Sequence, residues 1–370
     1  MMIDSTPVPT VSATENTLKI ALQALTEGDF QERWEAVKLF SSLGSEAIEA
    51  AIELLKTEKD DWELCWFVAR ILGQSDRPIA IAALIDLLLD NENEEVKVMA
   101  ATTLANFGEC AIEPLTHLLA EPQWQLLAIS SLAQTQHPYA IEPLLNVAKD
   151  PNPAVRAAVL EALHTFRDPR ILSPLVAALE DLSATVRRQA TIGLGLRCSE
   201  FPPEVDIVKL LEQRLSDLDF FICQQAAIAL SRCGTEAAAQ ALLRVLQAPH
   251  TPVLLQVEIV RSLSWIDSLL SLEYLQQSLN LESSAVCLEA IRSIGQVSQS
   301  KSIAARILLD WLRSAHPALQ QPEIRQAVAL ELGRLGDSQA LPDLQKLKND
   351  PDDKVRIHAE TAYQKLIVDS

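Results

Sequence analysis

The chain has 370 residues, 48% of them apolar, and sets 31 Lys and Arg against 50 Asp and Glu for a net charge of −19 and a pI near 4.7. So acidic a chain lacks the basic face that phosphate-backbone recognition needs, which argues against nucleic acid as a partner. With only 10 glycines beside abundant Leu, Ala, Glu and Gln, helices are favoured over sheets, and the 19 prolines belong at helix starts and connections.

Residues 1 to 16, rich in Pro, Ser and Thr, read as a flexible lead-in without the basic and apolar regions of a signal peptide. From Thr17 the pattern predicts a single solenoid running to residue 370, built of helix pairs. LKIALQALTEGDF pairs with ERWEAVKLFSSLG, then residues 46–56 pair with 62–72 and 78–89 with 94–107. No segment is long and apolar enough for a transmembrane span, the richest being interrupted by Asp86. PLTHLLAE and WQLLAISSLAQT make the fourth pair. The fifth and sixth centre on DPNPAVRAAVLEALHTFR and DPRILSPLVAALEDLSATVRRQATIGLGLR. Val155 and Val186 hold the same place in these two units, each followed by an arginine. Further pairs bring the count to about eleven, the tenth with a longer internal loop.

In each unit the first helix is expected to open near a proline, as in IEPL and LSPL, and the second carries a core pattern such as Val155, Val159, Ala162, Leu163 and Phe166. Cys233 falls in the Phe166 column and Trp124 in the Val155 column, so both read as core. Asp150 with Arg156, Asp181 with Arg187, and Asp350 with Arg356 recur at one spacing. The aspartate suits a helix N-cap, and the arginine can bridge to the aspartate of a neighbouring repeat, forming a ladder. The competing reading makes these arginines ligand contacts.

The pattern D-P-x-x-x-V-R-x-x-A-x-x-A-L, carried by Asp150, Pro151, Val155, Arg156, Val159, Ala162 and Leu163, and again by Asp350, Pro351, Val355, Arg356, Ala359 and Ala362, resembles the HEAT-like repeat of cyanobacterial phycobilisome bilin lyases and their relatives. The resemblance implies an all-α, right-handed α-solenoid. It also implies a protein partner on the concave face, in the class of phycobiliprotein subunits or assembly factors. It is a repeat-level match and implies function far less sharply than fold.

Other chemistry is sparse. None of the six histidines is followed by Glu, so the His-Glu pairs of deoxyhypusine-type di-iron hydroxylases are missing, and GLGL at 193–196 lies within a helical repeat rather than a phosphate loop. The six cysteines form no CxxC pair and read as reduced thiols of a cytosol-like compartment. Cys198, Cys223 and Cys233 are weak candidates for a soft metal or iron–sulfur cluster; Cys223 and Cys287 share the Arg156 column, which could face the groove. Trp62 and Trp66, four residues apart, fall off the core on one helix face and suit a partner helix or a flat tetrapyrrole, or else pack as a terminal cap.

The leading expectation is a protein-binding scaffold or chaperone that requires no cofactor, cytoplasmic and peripheral to thylakoid-attached phycobilisomes. The alternative is a phycobilin lyase, holding a bilin as transferred ligand through Arg156, Arg187 and Arg325 at its propionates. A thiol-metal protein is the third.

Overall fold

In a computed structural model, which describes residues 11–75, 77–201, 205–266, 268–298, 300–314 and 316–368, the described elements are all helical. The chain packs as two compact units, Met1–Ile171 and Leu172–Ser370. The first holds α1 (Val11–Glu27), α2 (Phe30–Leu43), α3 (Ser45–Thr57), α4 (Trp62–Leu72), α5 (Pro78–Asp90), α6 (Glu94–Ala105), α7 (Glu109–Leu118), α8 (Gln125–Gln134), α9 (Ile141–Asn146) and α10 (Pro153–Leu163). The second holds α11 (Leu172–Ala178), α12 (Ala184–Leu196), α13 (Ile207–Arg214), α14 (Phe220–Cys233), α15 (Glu236–Leu246), α16 (Val253–Ser264), α17 (Leu269–Ser278), α18 (Ser284–Gly295), α19 (Lys301–Leu312), α20 (Pro322–Leu335), α21 (Leu341–Leu347) and α22 (Asp353–Val368).

The even-numbered helices are the second helices of the repeats, and within each unit each packs on the next. Neither helix of a pair can cover its own apolar stripe, so the neighbouring pair does so. In α10 the buried residues are Val155, Val159, Leu160, Ala162 and Leu163; in α6 they include Val96, Ala100 and Leu104. The chain is an all-α solenoid of about eleven helix pairs, as the periodicity predicts.

Four details differ from expectation. Helix α1 begins at Val11, six residues inside the predicted lead-in; residues 1–10 lie outside the described residues. Asp150 does not cap α10: Asn152 does, accepting from the Ala154 N–H, while Asp150 accepts from the Asn152 N–H and shapes the turn. The IEPL proline Pro114 lies inside α7 rather than at its start. Trp124 is half-buried at the N-terminus of α8, with Lys97 Nζ 5.2 Å from its ring centroid, where a core position was predicted.

Close packing of the second helices depends on a column of small residues. A Cβ on Gly195 of α12 would stand 2.5 Å from the Ala229 Cβ of α14, and one on Gly295 of α18 would stand 2.6 Å from the Glu331 Cβ of α20. Gly295 thereby makes room for a carboxylate side chain, 3% exposed, which burial pushes above its ordinary pKa.

Candidate functional site

One position recurs on eight of the second helices: the fourth residue after the N-cap. Arg33, Cys65, Lys97, Arg156, Arg187, Cys223, Cys287 and Arg325 hold it. The turn into these helices leaves backbone carbonyls without helical donors, and this residue supplies one except at Lys97, which pairs with Glu94 instead. Arg156 Nη1 donates to the Asp150 carbonyl at 2.8 Å, Arg187 Nη1 to Asp181 at 2.9 Å, and Arg325 Nη1 to Leu319 at 2.7 Å. The thiols do the same work with one proton: Cys223 Sγ donates to the Asp217 carbonyl at 3.2 Å and Cys287 Sγ to Leu281 at 3.3 Å.

The arginines do more. Arg187 closes a bidentate pair on Asp217 (2.8 and 2.7 Å), 30 residues on, and Arg325 one on Asp350 (2.6 and 2.9 Å). Both carboxylates are nearly buried, 4% and 6% exposed. Each guanidinium, through its hydrogen bonds, holds its partner below the ordinary aspartate range. The ladder reading therefore describes Arg187 and Arg325, whose forks already grip carboxylates.

Cys198, Cys223 and Cys233 do not form one thiol cluster. Cys198 and Cys233 are joined as a disulfide, against the expectation of reduced thiols, and both are half-buried, which removes Cys233 from the core column. Cys223 and Cys287 are buried at the helix seam instead of facing a groove. Burial raises the Cys223 and Cys287 thiols, and lifts that of Cys65 to about 11. Among the described residues, no group of three or more His, Cys, Asp or Glu is placed to hold a metal. His137 and His316 cap short 3-10 turns, each Nδ1 accepting from the backbone N–H two residues on.

The two tryptophans of α4 have separate surroundings. Trp62, 45% exposed, lines a cleft of about 560 Å³ with Ile52, Leu55, Ala83, Asp86 and Asp90. Trp66 belongs to an aromatic cluster: it lies edge-on to Phe67 at 5.1 Å, and Phe67 meets Phe30 and Trp34 of α2. Arg70 enters this cluster from one turn further along α4, its guanidinium carbon 4.7 Å from the Trp34 ring centroid and 5.2 Å from that of Trp66.

Trp34 and Trp66 each directly follow the column residue of their helix. With the buried pairs Ala100–Ala101 of α6 and Ala128–Ile129 of α8 aligned, the same register there holds Val98 (55% exposed) and Leu126 (51% exposed). Four consecutive second helices of the first unit thus carry an apolar side chain at one register, none of them fully buried. Sequence reasoning missed Trp34, Arg70, Val98 and Leu126. The signal was present: Trp34 and Trp66 are one repeat apart, so aligning the less regular N-terminal units on their caps, Asp29 and Asp61, would have brought them together.

A family model for HEAT repeats matches residues 18–105, 48–132, 112–195, 172–259 and 272–364. The chain is 38% identical over 109 residues to a phycobilisome maturation protein of Synechococcus elongatus, covering 29% of this chain and 52% of that protein. It thus spans about half the length of the curated relative it matches. In fold it is similar to a chain of the Kap95:Nup1 complex, with a TM-score of 0.61 at 13% identity over 99% of this chain and 56% of that one. Against the CpcE–CpcF complex of phycocyanin lyase from Nostoc sp. PCC7120 the TM-score is 0.35 at 20% identity, covering 61% and 94%, too low to bear on function. No helix of the described residues is long and apolar enough to cross a membrane.

Proposed function

The chain belongs to the HEAT-repeat family, and from that premise we propose that it is a protein-binding scaffold or chaperone of phycobilisome assembly, working through the exposed faces of its second helices. The observation that carries this reading is the apolar register of Trp34, Trp66, Val98 and Leu126 on four successive helices. Scattered single apolar residues are ordinary on a surface, but an aligned series on stacked helices is what a partner's apolar face requires. The phycobilisome context rests on the similarity to the Synechococcus maturation protein. The occupant we favour is a phycobiliprotein subunit or an assembly factor.

Attachment or removal of a phycobilin is the second reading. It calls on Arg156, Arg187 and Arg325 for the propionates. Arg187 and Arg325 already form bidentate pairs with Asp217 and Asp350, so a bilin would have to displace a buried carboxylate from each. That competition places the scaffold first.

The test mixes the purified chain with isolated phycobiliprotein subunits, with and without bilin, and follows complex formation by sedimentation velocity and visible absorbance. The scaffold reading expects a complex with no transfer of colour. Absence of a complex with every subunit overturns it, and bilin appearing on or leaving a subunit moves the protein to the lyase reading.

A further inference from the structure

Two arginines in the first two repeats have opposite surroundings. Arg33, 7% exposed, is saturated: it pairs bidentately with Asp61, reaches Glu63 at 3.1 Å, and donates to the carbonyls of Gly28 and Thr26. Arg70, half-buried on α4, forms no hydrogen bond and no ion pair among the described residues, and its Nε is buried without a hydrogen-bond partner. Arg187, Arg244, Arg261, Arg313 and Arg325 all close on carboxylates. Arg70 has two tryptophan rings against it where those have a carboxylate.

The Arg70 guanidinium lies over the Trp34 and Trp66 rings, so attraction to the two rings holds the side chain while it donates no hydrogen bond among the described residues. A guanidinium held against aromatic rings and paired with no carboxylate suits one, which accepts two parallel hydrogen bonds in its plane. The rings lower the local polarity beside the guanidinium, which strengthens a pair formed there. The site also begins the apolar register that continues through Val98 and Leu126.

We propose that Arg70, held against Trp34 and Trp66, anchors an acidic side chain of a protein partner whose adjoining apolar residues lie along Val98 and Leu126. The anchor supplies register: an apolar strip alone lets a segment slide, and one charge-assisted contact at its end stops it. This rests on the reading that the second-helix face receives a protein.

The test follows the indole N–H resonances of the full chain by NMR, with Trp34 and Trp66 assigned through Trp34→Phe and Trp66→Phe. The probes are acetyl-Leu-Leu-Glu-Leu-amide, its Gln counterpart and sodium acetate. The Glu peptide should shift both indoles saturably, and binding should weaken by about tenfold with the Gln peptide and with Arg70→Gln, the loss of one charge-assisted contact. Arg70→Lys keeps the charge without the fork and should fall between; it also serves if Arg70→Gln alters the fold. Equal responses to the two peptides, or an unchanged response in both Arg70 variants, overturn the proposal. So does acetate matching the peptide, which would make the site a small-carboxylate site, or shifts that depend on chain concentration alone, which would point to a second copy. A phycobiliprotein subunit that binds wild type and Arg70→Gln equally sinks the anchor and leaves the scaffold standing. A Glu-peptide response with no subunit binding does the reverse.

Discussion

The seam between α12 and α14 and the seam between α18 and α20 join the same kinds of helices by different means. At the first, Arg187 satisfies the turn carbonyl of its own repeat and then grips Asp217 of the next. At the second, Cys287 satisfies the turn carbonyl and stops there, and among the described residues no ion pair joins these two helices. The difference shows that the column position has two separable tasks. Closing the turn needs one donor; linking repeats needs a side chain long enough, and charged, to leave its own repeat. A thiol does the first and is too short for the second.

The sharpest way to break this comparison is Arg187→Ala. It strips the donor from the turn and leaves Asp217 nearly buried beside only a distant Arg214 at 3.8 Å, so a loss of about 3 kcal/mol is expected in urea unfolding. The double change Arg187→Met with Asp217→Leu should recover most of that loss, because no charge is then stranded.

Acid offers a second, smaller handle. Asp217 and Asp350 have folded pKa values held below their unfolded ones, so the stability they contribute is present above about pH 4 and is lost as pH falls through the lowered folded value. Thermal melts below pH 4 should therefore fall more steeply for wild type than for the double variant. Glu331 runs the other way. Its raised pKa means its penalty grows as pH rises above its ordinary value, so Glu331→Gln should gain stability at neutral pH relative to pH 4.

Cys287→Ala should cost only about 1 kcal/mol in the same urea assay, the loss of a weak donor and one buried atom, with no stranded partner. A cost matching that of Arg187→Ala would collapse the distinction between the two seams. At the bottom of the scale stands Lys56→Ala. Its partner Glu53 lies on the same helix, and both side chains are more than half exposed, so a change under about 0.5 kcal/mol is expected by thermal melt.

The fold was legible because the repeat writes its packing into a period: Val155, Val159, Ala162 and Leu163 reappear wherever a second helix must cover its neighbour. The ladder was legible in part. Spacing revealed that Asp150 and Asp350 matter, but not that they shape turns while Asn152 and Asp352 receive the helix N–H groups, since both residue types can cap. The pairing of Cys198 with Cys233 across 35 residues was beyond reach, because it depends on how the end of one helix and the turn after another converge. The Arg70 cluster lay hidden for a different reason. The N-terminal repeats lack the D-P signature, so their register cannot be aligned on it, and Trp66 meets Arg70 beside Trp34 of the neighbouring helix while Trp62 of its own helix lines a separate cleft.

The alternation of arginine and thiol at the column also gives the second unit a mechanical profile. Stretched along the direction in which its repeats follow one another, it would load the Arg187–Asp217, Arg261–Glu289 and Arg325–Asp350 links in tension, while at the seams of Cys223 and Cys287 the ties lie in the first-helix layer, as the Arg244–Glu212 pair and the Trp311 Nε1 bond to the Leu279 carbonyl. Such a unit is tied through its second-helix layer at the arginine seams and through its first-helix layer at the thiol seams, so the line of tension shifts from one layer to the other along the repeats.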